Sequence, residues 1–408
     1  MTETLPALKP LSDAPEIDFS TLDTSPDSHA ILRDLRARAP VARTPMGVVL
    51  ALRHHHLELV TSDATRQIET ETKMMQGIFD GPIFEFISAV MLFANGDVHL
   101  RRRMPVSRAF AFKLMDAMRP VARQLTEELI APHLDGAPVE FVSQFAAQLP
   151  ARIIADILGI PRSDLPVFLQ WIADTAEAIG FIEPERRPKI EASLVAFGAY
   201  VAELIKERRA HPRQDFITEY LANTARDETL SEMEIQSQVV GLILAGSDTT
   251  RGSMGMTLAH MLTRRDQWDA FCADPDGLKR AVIDEGLRFD PVISGLPRIA
   301  VQDLDIDGYR IPAGTPVAVS ILSSLRDPAV YADPDRFDIT RTDHPRWHPV
   351  FGAGAHRCVG EALARAEMEE ALAAIARLAP RSELVGDFPK LAPGAIRQIS
   401  PMSVAFKR

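Results

Sequence analysis

The sequence predicts a mainly α protein with a small β portion, and three observations support that fold class. Residues 231–262 are largely apolar around the whole circumference at the centre of the segment, which is typical of a helix that runs through a core. Apolar residues elsewhere recur at three- and four-residue spacing, as on the buried face of a surface helix. Short β signals are confined to a few places, and no linker divides the chain. We therefore expect a single domain over residues 26–408, after a partly ordered N-terminal arm over residues 1–25.

The composition argues against several classes of partner. The 408 residues are 46% hydrophobic and 25% charged, which is enough apolar material for a large core. The 45 lysine and arginine residues are outnumbered by 56 aspartate and glutamate residues, giving a net charge of −11. Because nucleic acids and anionic lipids attract basic proteins, we expect neither of them as a partner.

The apolar runs and the cysteines indicate the compartment. The most apolar runs, residues 86–94 and 239–246, are much shorter than the roughly 20 residues that span a bilayer. The first residues lack a basic segment followed by an apolar one, so we expect a cytoplasmic protein with no membrane anchor. Cys272 and Cys358 form no C-x-x-C pair, which argues against a disulfide framework and a structural zinc site.

The first half of the chain gives two helices and one hairpin. Residues 26–39 have a helical pattern, and residues 41–53 have the pattern of a β-hairpin with its turn near Met46 and Gly47. Residues 190–205 carry one apolar stripe and a charged side, which predicts a surface helix.

The second half contains the core helix, a second β region and a long irregular approach to Cys358. The core helix is expected to run for about thirty residues over 231–262. Residues 306–320 give two turns between short strands, and proline-rich residues 327–349 have little periodicity. Apolar residues then recur at helical spacing after Cys358; they are Ala364, Met368, Leu372, Ile375 and Ala379.

Cys358 lies in a loop of unusual composition. Gly352, Gly354 and Gly360 surround it, and glycine allows backbone conformations and close approaches that other residues resist. A helix follows at once, and the N–H groups and dipole at a helix N-terminus stabilise an anion, so we expect a lowered thiol pKa. From these residues alone, an inert buried cysteine and a catalytic nucleophile both stay open.

The core helix is interrupted by a polar hexapeptide. Residues 245–250, AGSDTT, place glycine, serine, aspartate and two threonines in an otherwise apolar helix. Glycine and hydroxyl side chains weaken a helix, so we expect a local bend or an opened turn there.

Together these two segments resemble the cytochrome P-450 family. The string Phe351-Gly352-x-Gly354-x-His356-x-Cys358-x-Gly360 is similar to the family's haem-binding loop, and residues 245–250 are similar to its oxygen-activating motif. The resemblance covers nearly the whole chain and implies a soluble, bacterial-type haem-thiolate monooxygenase, with haem b between the core helix and the helix after the cysteine loop. It gives Cys358 the role of axial iron ligand. It gives Thr249 a hydrogen bond to bound dioxygen and Asp248 a proton relay.

The resemblance also assigns supporting residues. It places Ala245, Phe351, Gly352 and Gly360 beside the cofactor. The haem propionates need cationic or N–H partners, which it assigns to His99, Arg103, Arg298 and His356. It implies a buried structural network of Glu285, Arg288 and Arg336 that holds the cysteine loop.

The implied substrate is a hydrophobic organic molecule, with hydroxylation as the expected reaction. The distal pocket is expected to draw on aliphatic and small residues; they are Ile78, Ile87, Gly241, Leu244, Ile293, Ser294 and Ile396. Arg397 meets a substrate carboxylate only if it turns inward. No role follows for Thr250 or Arg251.

The resemblance implies that electrons come from a ferredoxin and a separate NAD(P)H-dependent reductase, and we expect the protein to be a monomer. Arginines near the cysteine face are expected to form a positive patch that docks an acidic ferredoxin; they are Arg101, Arg108, Arg357 and Arg365. Gly286 and Leu325 depart from the usual family residues without touching the chemistry.

Other interpretations remain open at this point. A peroxide-driven haem-thiolate peroxygenase shares Cys358 but does not need Asp248 and Thr249. A non-catalytic haem protein that senses a small ligand also dispenses with that pair. Elsewhere, His54, His55 and His56 are consecutive, so their side chains diverge and we expect no metal site there. Cys272 is expected to be inert.

Overall fold

A computed structural model of the chain describes residues 8–18, 28–110, 115–227, 230–392, 394 and 396–408. The expected boundary between arm and domain, at residues 25 and 26, lies outside the described residues. The described part of the arm is tied to the body, since Lys9–Pro10 pairs with Tyr309–Ile311 and Glu16 bridges to Arg43.

Helices make up most of the described chain, as predicted. In chain order they are α1 (Ser28–Arg38), α2 (Glu71–Met75), α3 (Gly81–Ala89), α4 (Gly96–Ala109), α5 (Arg119–Ile130), α6 (Gln148–Leu158), α7 (Leu165–Thr175), α8 (Arg187–Ala210), α9 (Phe216–Asp227), α10 (Glu232–Leu262), α11 (Arg265–Ala273), α12 (Pro275–Phe289), α13 (Ile321–Ser324) and α14 (Glu361–Leu378).

The strands are short. They are β1 (Lys9–Pro10), β2 (Val41–Arg43), β3 (Val49–Ala51), β4 (Thr65–Gln67), β5 (Asp135–Glu140), β6 (Gly295–Ala300), β7 (Leu304–Ile306), β8 (Tyr309–Ile311), β9 (Pro316–Ser320), β10 (Glu383–Val385), β11 (Leu391–Ala392), β12 (Gln398–Ile399) and β13 (Ser403–Lys407). They form sheets in the orders β2-β3-β9-β6-β4, β1-β8-β7, β10-β13-β5 and β11-β12.

The hairpin predicted over residues 41–53 is present. Strands β2 and β3 are antiparallel with Val41 opposite Ala51, and Gly47 has a φ of +79° in the turn, a conformation that favours glycine. Strands β7 and β8 form the second hairpin.

The core helix α10 runs for 31 residues and packs against α6, α8, α12 and α14. Ser231 and Glu234 form a capping box at its start, which satisfies backbone N–H groups that have no helical partner. The helix is continuous across residues 245–250, so the expected opened turn is wrong. The Ser247 and Thr249 hydroxyls bond back to the carbonyls of Ile243 and Ala245, each at 2.9 Å, without breaking the helix.

Both departures from the usual family residues have a packing reason. A Cβ atom on Gly286 would lie 2.1 Å from Thr257 Oγ1, so glycine lets α12 cross α10 closely. Leu325 is fully buried and packs with Ile321 and Tyr331.

None of the helices in the described residues has the length and apolarity needed to cross a bilayer.

Candidate functional site

The loop before α14 holds Cys358 through backbone contacts. Gly352 and Gly354 have φ values of +68° and +61°, which L side chains rarely adopt. The Cys358 N–H donates to the Phe351 carbonyl at 2.8 Å, which fixes the turn. Phe351 is buried below the guanidinium of Arg365, whose central carbon lies 5.1 Å from the ring centroid.

The thiol does not have the lowered pKa expected from the sequence. Burial raises the pKa of Cys358, although a hydrogen bond from the Gly360 backbone and the charges of Arg103 and Arg357 oppose that effect. The expectation of a lowered pKa is therefore wrong for the polypeptide by itself, because desolvation outweighs the donors around the sulfur. The same donors suit a sulfur that becomes a metal-bound thiolate.

The surroundings of Cys358 indicate an internal cleft. Protein atoms surround Cys358 closely enough to desolvate its thiol, yet part of its surface is accessible to a water-sized sphere, so the residue lines an internal space. Ala245 is also exposed, in the middle of a helix whose neighbouring residues Leu244 and Ser247 are buried. Exposure at the centre of a core helix indicates that this part of α10 borders an open space.

Four basic side chains meet beside the cysteine loop. The rings of His99 and His356 lie 4.0 Å apart between centroids, and His356 also interacts with Arg103 and Arg298. The Arg103 guanidinium donates to the Arg357 carbonyl, next to Cys358. Among the residues that the structure describes, none of the four has a carboxylate partner.

The two histidines of this cluster are neutral at pH 7. Burial and then the charge of Arg103 lower the pKa of His99 to about 4, and burial and then His99 lower the pKa of His356 to about 3. The His99 Nε2 atom is buried and has no hydrogen-bond partner in the described part of the chain. A buried unpaired polar atom is costly, so this cluster is suited to an anionic ligand.

Arg298 is held in the cluster by neighbours that the sequence did not identify. Its Nη1 donates to Gln67 Oε1, and its Nε and Nη2 donate to the Val60 carbonyl at 3.3 and 3.2 Å. Burial lowers the pKa of Arg298 to about 10, so the group stays charged at pH 7. Gln67 lies in β4, and nothing in its local sequence distinguishes it from other glutamines.

Asp248 lies in a hydrogen-bonded ring with two side chains. Its Oδ1 is 3.1 Å from Arg251 Nη2, and its Oδ2 accepts a 3.1 Å hydrogen bond from Gln398 Nε2. Arg251 also donates to Gln398 Oε1. Burial raises the pKa of Asp248, while Arg251 and Gln398 act in the opposite direction.

The buried Glu285 network forms with a different arginine from the one expected. Glu285 and Arg288 are fully buried and paired at 2.7 Å. The Arg341 Nε lies 3.4 Å from Glu285 Oε2, whereas the exposed Arg336 side chain pairs with Asp338. Arg336 contributes only its carbonyl, which accepts from Arg288 Nη2 at 2.9 Å. Arg341 therefore takes the place in the network that was expected for Arg336. Its guanidinium is buried against the ring of Tyr331.

The expected pocket residues lie in two groups. Ile78, Ile87 and Leu244 are buried in the main core, and Gly241 lets α10 approach Val90, which lies 2.6 Å from the position of an added Cβ. The second group is a bridge between Ile293 and Ile396. There Ser294 Oγ donates to the Gly394 carbonyl at 3.0 Å.

Arg397 and Cys272 do not join the site. Arg397 Nη1 donates to the Pro291 carbonyl at 3.3 Å and lies 4.0 Å from Asp290. Cys272 lies against the Pro380 carbonyl, and burial raises its thiol pKa to about 11, which keeps the thiol protonated.

Two of the three consecutive histidines, His55 and His56, converge on one aspartate, so the expectation that these side chains diverge is wrong for that pair, whereas His54 Nε2 has no hydrogen-bond partner in the described chain. His55 and His56 place Nε2 atoms 3.0 and 3.1 Å from Asp307 Oδ2. His56 Nδ1 accepts the Arg53 N–H, so its Nε2 must carry the proton and donate to Asp307. A metal ion needs a lone pair on that nitrogen, so the hydrogen bonds explain this cluster better than a metal site does.

The expected positive patch is largely neutralised. Arg101 pairs with Glu234 at 2.7 Å, Arg357 pairs with Glu361, and Arg365 pairs with Asp284 at 2.6 Å. Arg108 is exposed and lines a groove of about 450 Å³. The other lining residues are Leu100, Arg103, Met104, Ser107, Gly354 and Ala355.

Comparisons with known proteins agree with this architecture. The family model described as cytochrome P-450 matches residues 28–270 and 278–377. A plant-inducible cytochrome P-450 of Rhizobium radiobacter is 38% identical over 96% of this chain and 93% of its own. Luteothin monooxygenase of Streptomyces thioluteus is 30% identical over 92% of each chain. The crystal structure of CalO2 superposes with a TM-score of 0.87 at 26% identity, covering 99% of both chains.

Proposed function

This chain belongs to the cytochrome P-450 family, and we propose that it is a haem b monooxygenase that inserts one oxygen atom from O₂ into a hydrophobic organic molecule. The family places it among the oxidoreductases and implies a haem-thiolate cofactor. The finer assignments below are proposals for this chain. These proposals also include a single catalytic domain over residues 26–408, a cytoplasmic location and a monomeric state.

The basic cluster carries the cofactor proposal. His99, Arg103, Arg298 and His356 offer N–H donors without a carboxylate partner in the described chain, beside Cys358. This arrangement fits the two propionates of haem b, and Cys358 is then the iron ligand. We propose that Ala245, Phe351, Gly352 and Gly360 border the flat ring between α10 and the loop. When bound, this cofactor supplies the redox chemistry that activates dioxygen.

Asp248 and Thr249 are proposed to deliver protons from solvent to the active site. Burial raises the pKa of Asp248, which brings its carboxyl closer to the range in which it exchanges protons. Thr249 donates its hydroxyl proton to Ala245 in this structure, so it must rotate to pass a proton onward.

The substrate is proposed to be a hydrophobic organic molecule that undergoes hydroxylation. Ile87 and Leu244 are buried aliphatic residues, and the bridge between Ile293 and Ile396 adds two more aliphatic residues. Arg397 is engaged with Pro291 and Asp290, so we propose no charged anchor for a substrate carboxylate.

The electron donor is proposed to be a ferredoxin with a separate NAD(P)H-dependent reductase. We propose docking on the groove lined by Leu100, Met104 and Arg108, because Gly354 and Ala355 of the cysteine loop line the same groove. Exposed apolar side chains there supply contact area, and Arg108 supplies attraction to an acidic partner. Arg108→Glu should lower the rate of reduction and weaken its salt dependence, with Arg310→Glu on a distant hairpin as control. Equal rates in both variants would contradict this docking site.

A spectroscopic test decides the cofactor proposal. Carbon monoxide added to the reduced holoprotein should give the strongly red-shifted Soret band of thiolate ligation. Cys358→His should remove that band, and the matched variant Cys272→Ser should keep it. Protein that is purified without porphyrin, or that keeps the band in Cys358→His, would refute the assignment.

Two other functions would also use Cys358, and the oxidant that the protein requires distinguishes them from a monooxygenase. A peroxygenase oxidises a hydrophobic compound with peroxide alone, and a ligand sensor oxidises nothing. Product formed only with O₂, NAD(P)H and redox partners supports the monooxygenase. We expect this outcome because the hydrogen-bonded ring around Asp248 suits proton delivery, which only the reaction with dioxygen requires.

A further inference from the structure

The Asp248 carboxylate has both oxygens engaged by side chains whose roles the sequence does not explain. Oδ1 is 3.1 Å from Arg251 Nη2, and Oδ2 accepts from Gln398 Nε2 at 3.1 Å. The ring closes because Arg251 also donates to Gln398 Oε1. The Asp248 side chain is 3% exposed and that of Arg251 is 20% exposed, so this pair differs from an ordinary surface ion pair.

Gln398 reaches Asp248 from a distant part of the chain that is fixed by packing. It begins β12, and the adjacent Ile399 packs on Gly255 of α10, where an added Cβ would lie 2.5 Å from Ile399 Cδ1. The Arg397 N–H also donates to the Val292 carbonyl at 2.7 Å. The amide of Gln398 is therefore held against α10 by its backbone.

A glutamine is chemically suited to this position. Its amide donates through Nε2 and accepts through Oε1 at the same time, which neither leucine nor an ionised glutamate can do. Among the residues that the structure describes, Arg251 is the charged group that acts on Asp248, so the carboxylate has one cationic and one neutral partner.

The two contacts differ in strength. A contact with a guanidinium is charge-assisted and stronger than a hydrogen bond from a neutral amide. The Asp248 and Thr249 side chains are not hydrogen-bonded to each other in the described structure, because Thr249 donates to Ala245. Proton transfer between them therefore requires one carboxylate oxygen to leave its partner, and the oxygen bound to Gln398 is the easier one to release.

We propose that Arg251 and Gln398 are positioning residues for Asp248: Arg251 retains Oδ1, and Gln398 holds Oδ2 until it moves to carry a proton. This inference rests on the relay role proposed above for Asp248. Oδ2 takes a proton from solvent and then gives it up toward Thr249, so the carboxylate ends in its starting state. Arg251 takes no part in the proton transfer and supplies only charge and orientation.

The test measures the protonation of Asp248 itself. Infrared difference titration of the purified holoenzyme follows the carboxyl band, which is assigned by its loss in Asp248→Asn. Arg251→Gln should raise the pKa of Asp248 by about one unit or more, because the carboxyl stays buried and loses its counter-charge. This corresponds to an acid dissociation constant about tenfold lower. Arg251→Lys should keep the pKa of Asp248 close to its wild-type value, because lysine retains the positive charge. Gln398→Leu should move the pKa in the same direction as Arg251→Gln but by less.

A matched control separates positioning from general loosening of α10. Ser247 is the neighbouring buried residue, and its hydroxyl bonds only to the Ile243 carbonyl among the described contacts. Ser247→Ala should therefore leave the Asp248 titration unchanged. An equal shift in Ser247→Ala, or an unchanged titration in Arg251→Gln and Gln398→Leu, would overturn the proposal. If Arg251→Gln does not fold, Arg251→Lys and Gln398→Leu decide it.

A second measurement keeps the two proposals distinct. If Asp248→Asn consumes oxygen with surrogate redox partners at the wild-type rate and solvent isotope effect, the relay role fails. The infrared shifts would still show whether Arg251 and Gln398 hold the carboxyl.

Discussion

The imidazole of His99 is stacked on His356, yet its Nε2 has no partner in the described chain. A propionate oxygen would satisfy this atom. We expect His99→Leu to lose haem to apomyoglobin about tenfold or more faster than wild type, because a charge-assisted hydrogen bond is worth about 1.5–3 kcal/mol. The exposed His211, changed to leucine, is the control. Equal rates of haem loss in the two variants would show that His99 does not hold the cofactor.

Two arginines near Glu285 differ sharply in burial. The Arg341 side chain is 6% exposed and the Arg336 side chain is 68% exposed. Arg341→Ala removes one of two cations that contact Glu285, and Arg288 remains as the counter-charge, so the free energy of unfolding should fall by about 1–3 kcal/mol. Arg336→Ala should change it by less than about 0.5 kcal/mol. Urea titration measures both, and a larger loss in Arg336→Ala would reverse this assignment.

These residues show what local sequence can specify. Cys358, Asp248 and Thr249 lie in short motifs, and the resemblance of those motifs to the family made the three residues candidates for the site. Arg341 and Gln398 reach their partners through long irregular segments, and no periodicity there indicates which side chain is buried. The pKa of Cys358 was also mispredicted, because the extent of desolvation depends on tertiary packing.

At the scale of elements, the helices, the first hairpin and the second β region were predictable because hydrophobic period and turn residues are local properties. The continuity of α10 was not predictable from these local properties. Its hydroxyls bond to carbonyls four residues back, and packing on both sides keeps the helix intact despite its unfavourable composition.

The crossing of α12 over α10 depends on a single missing methyl group. An added Cβ on Gly286 would lie 2.1 Å from Thr257 Oγ1 and 2.5 Å from Thr257 Cγ2. Gly286→Ala should therefore lower the free energy of unfolding by about 1–3 kcal/mol through overpacking, despite the higher helix propensity of alanine.

A double-mutant cycle isolates that contact. Thr257→Ala removes the two closest of three clashing atoms and leaves Cβ at 2.8 Å, and it also removes the hydroxyl that donates to the Ser253 carbonyl at 2.7 Å. The double variant should be more stable than the sum of the two single changes predicts. Strict additivity, measured by urea unfolding, would show that the crossing is not limited by this pair.

At the scale of the whole molecule, the described interior holds many neutral histidines. Desolvation lowers the pKa of six of them that lie outside the proposed propionate cluster; they are His29, His54, His56, His260, His344 and His348. Each has a folded pKa below the unfolded value of about 6.5. As pH falls below that value, the unfolded chain takes up protons first, so stability is lost.

His348 provides the sharpest test of this acid sensitivity. Burial lowers its pKa to about 3. Its Nδ1 accepts the Val350 N–H at 3.3 Å and its Nε2 donates to the Asp284 carbonyl at 3.1 Å, so only the neutral ring satisfies both contacts. Between pH 6 and pH 4 this residue should contribute a loss of up to about 1.4 kcal/mol per pH unit. His348→Gln should reduce the slope of unfolding free energy against pH by that amount, and His211→Gln should leave it unchanged. A wild-type slope in His348→Gln would mean that other groups cause the acid sensitivity.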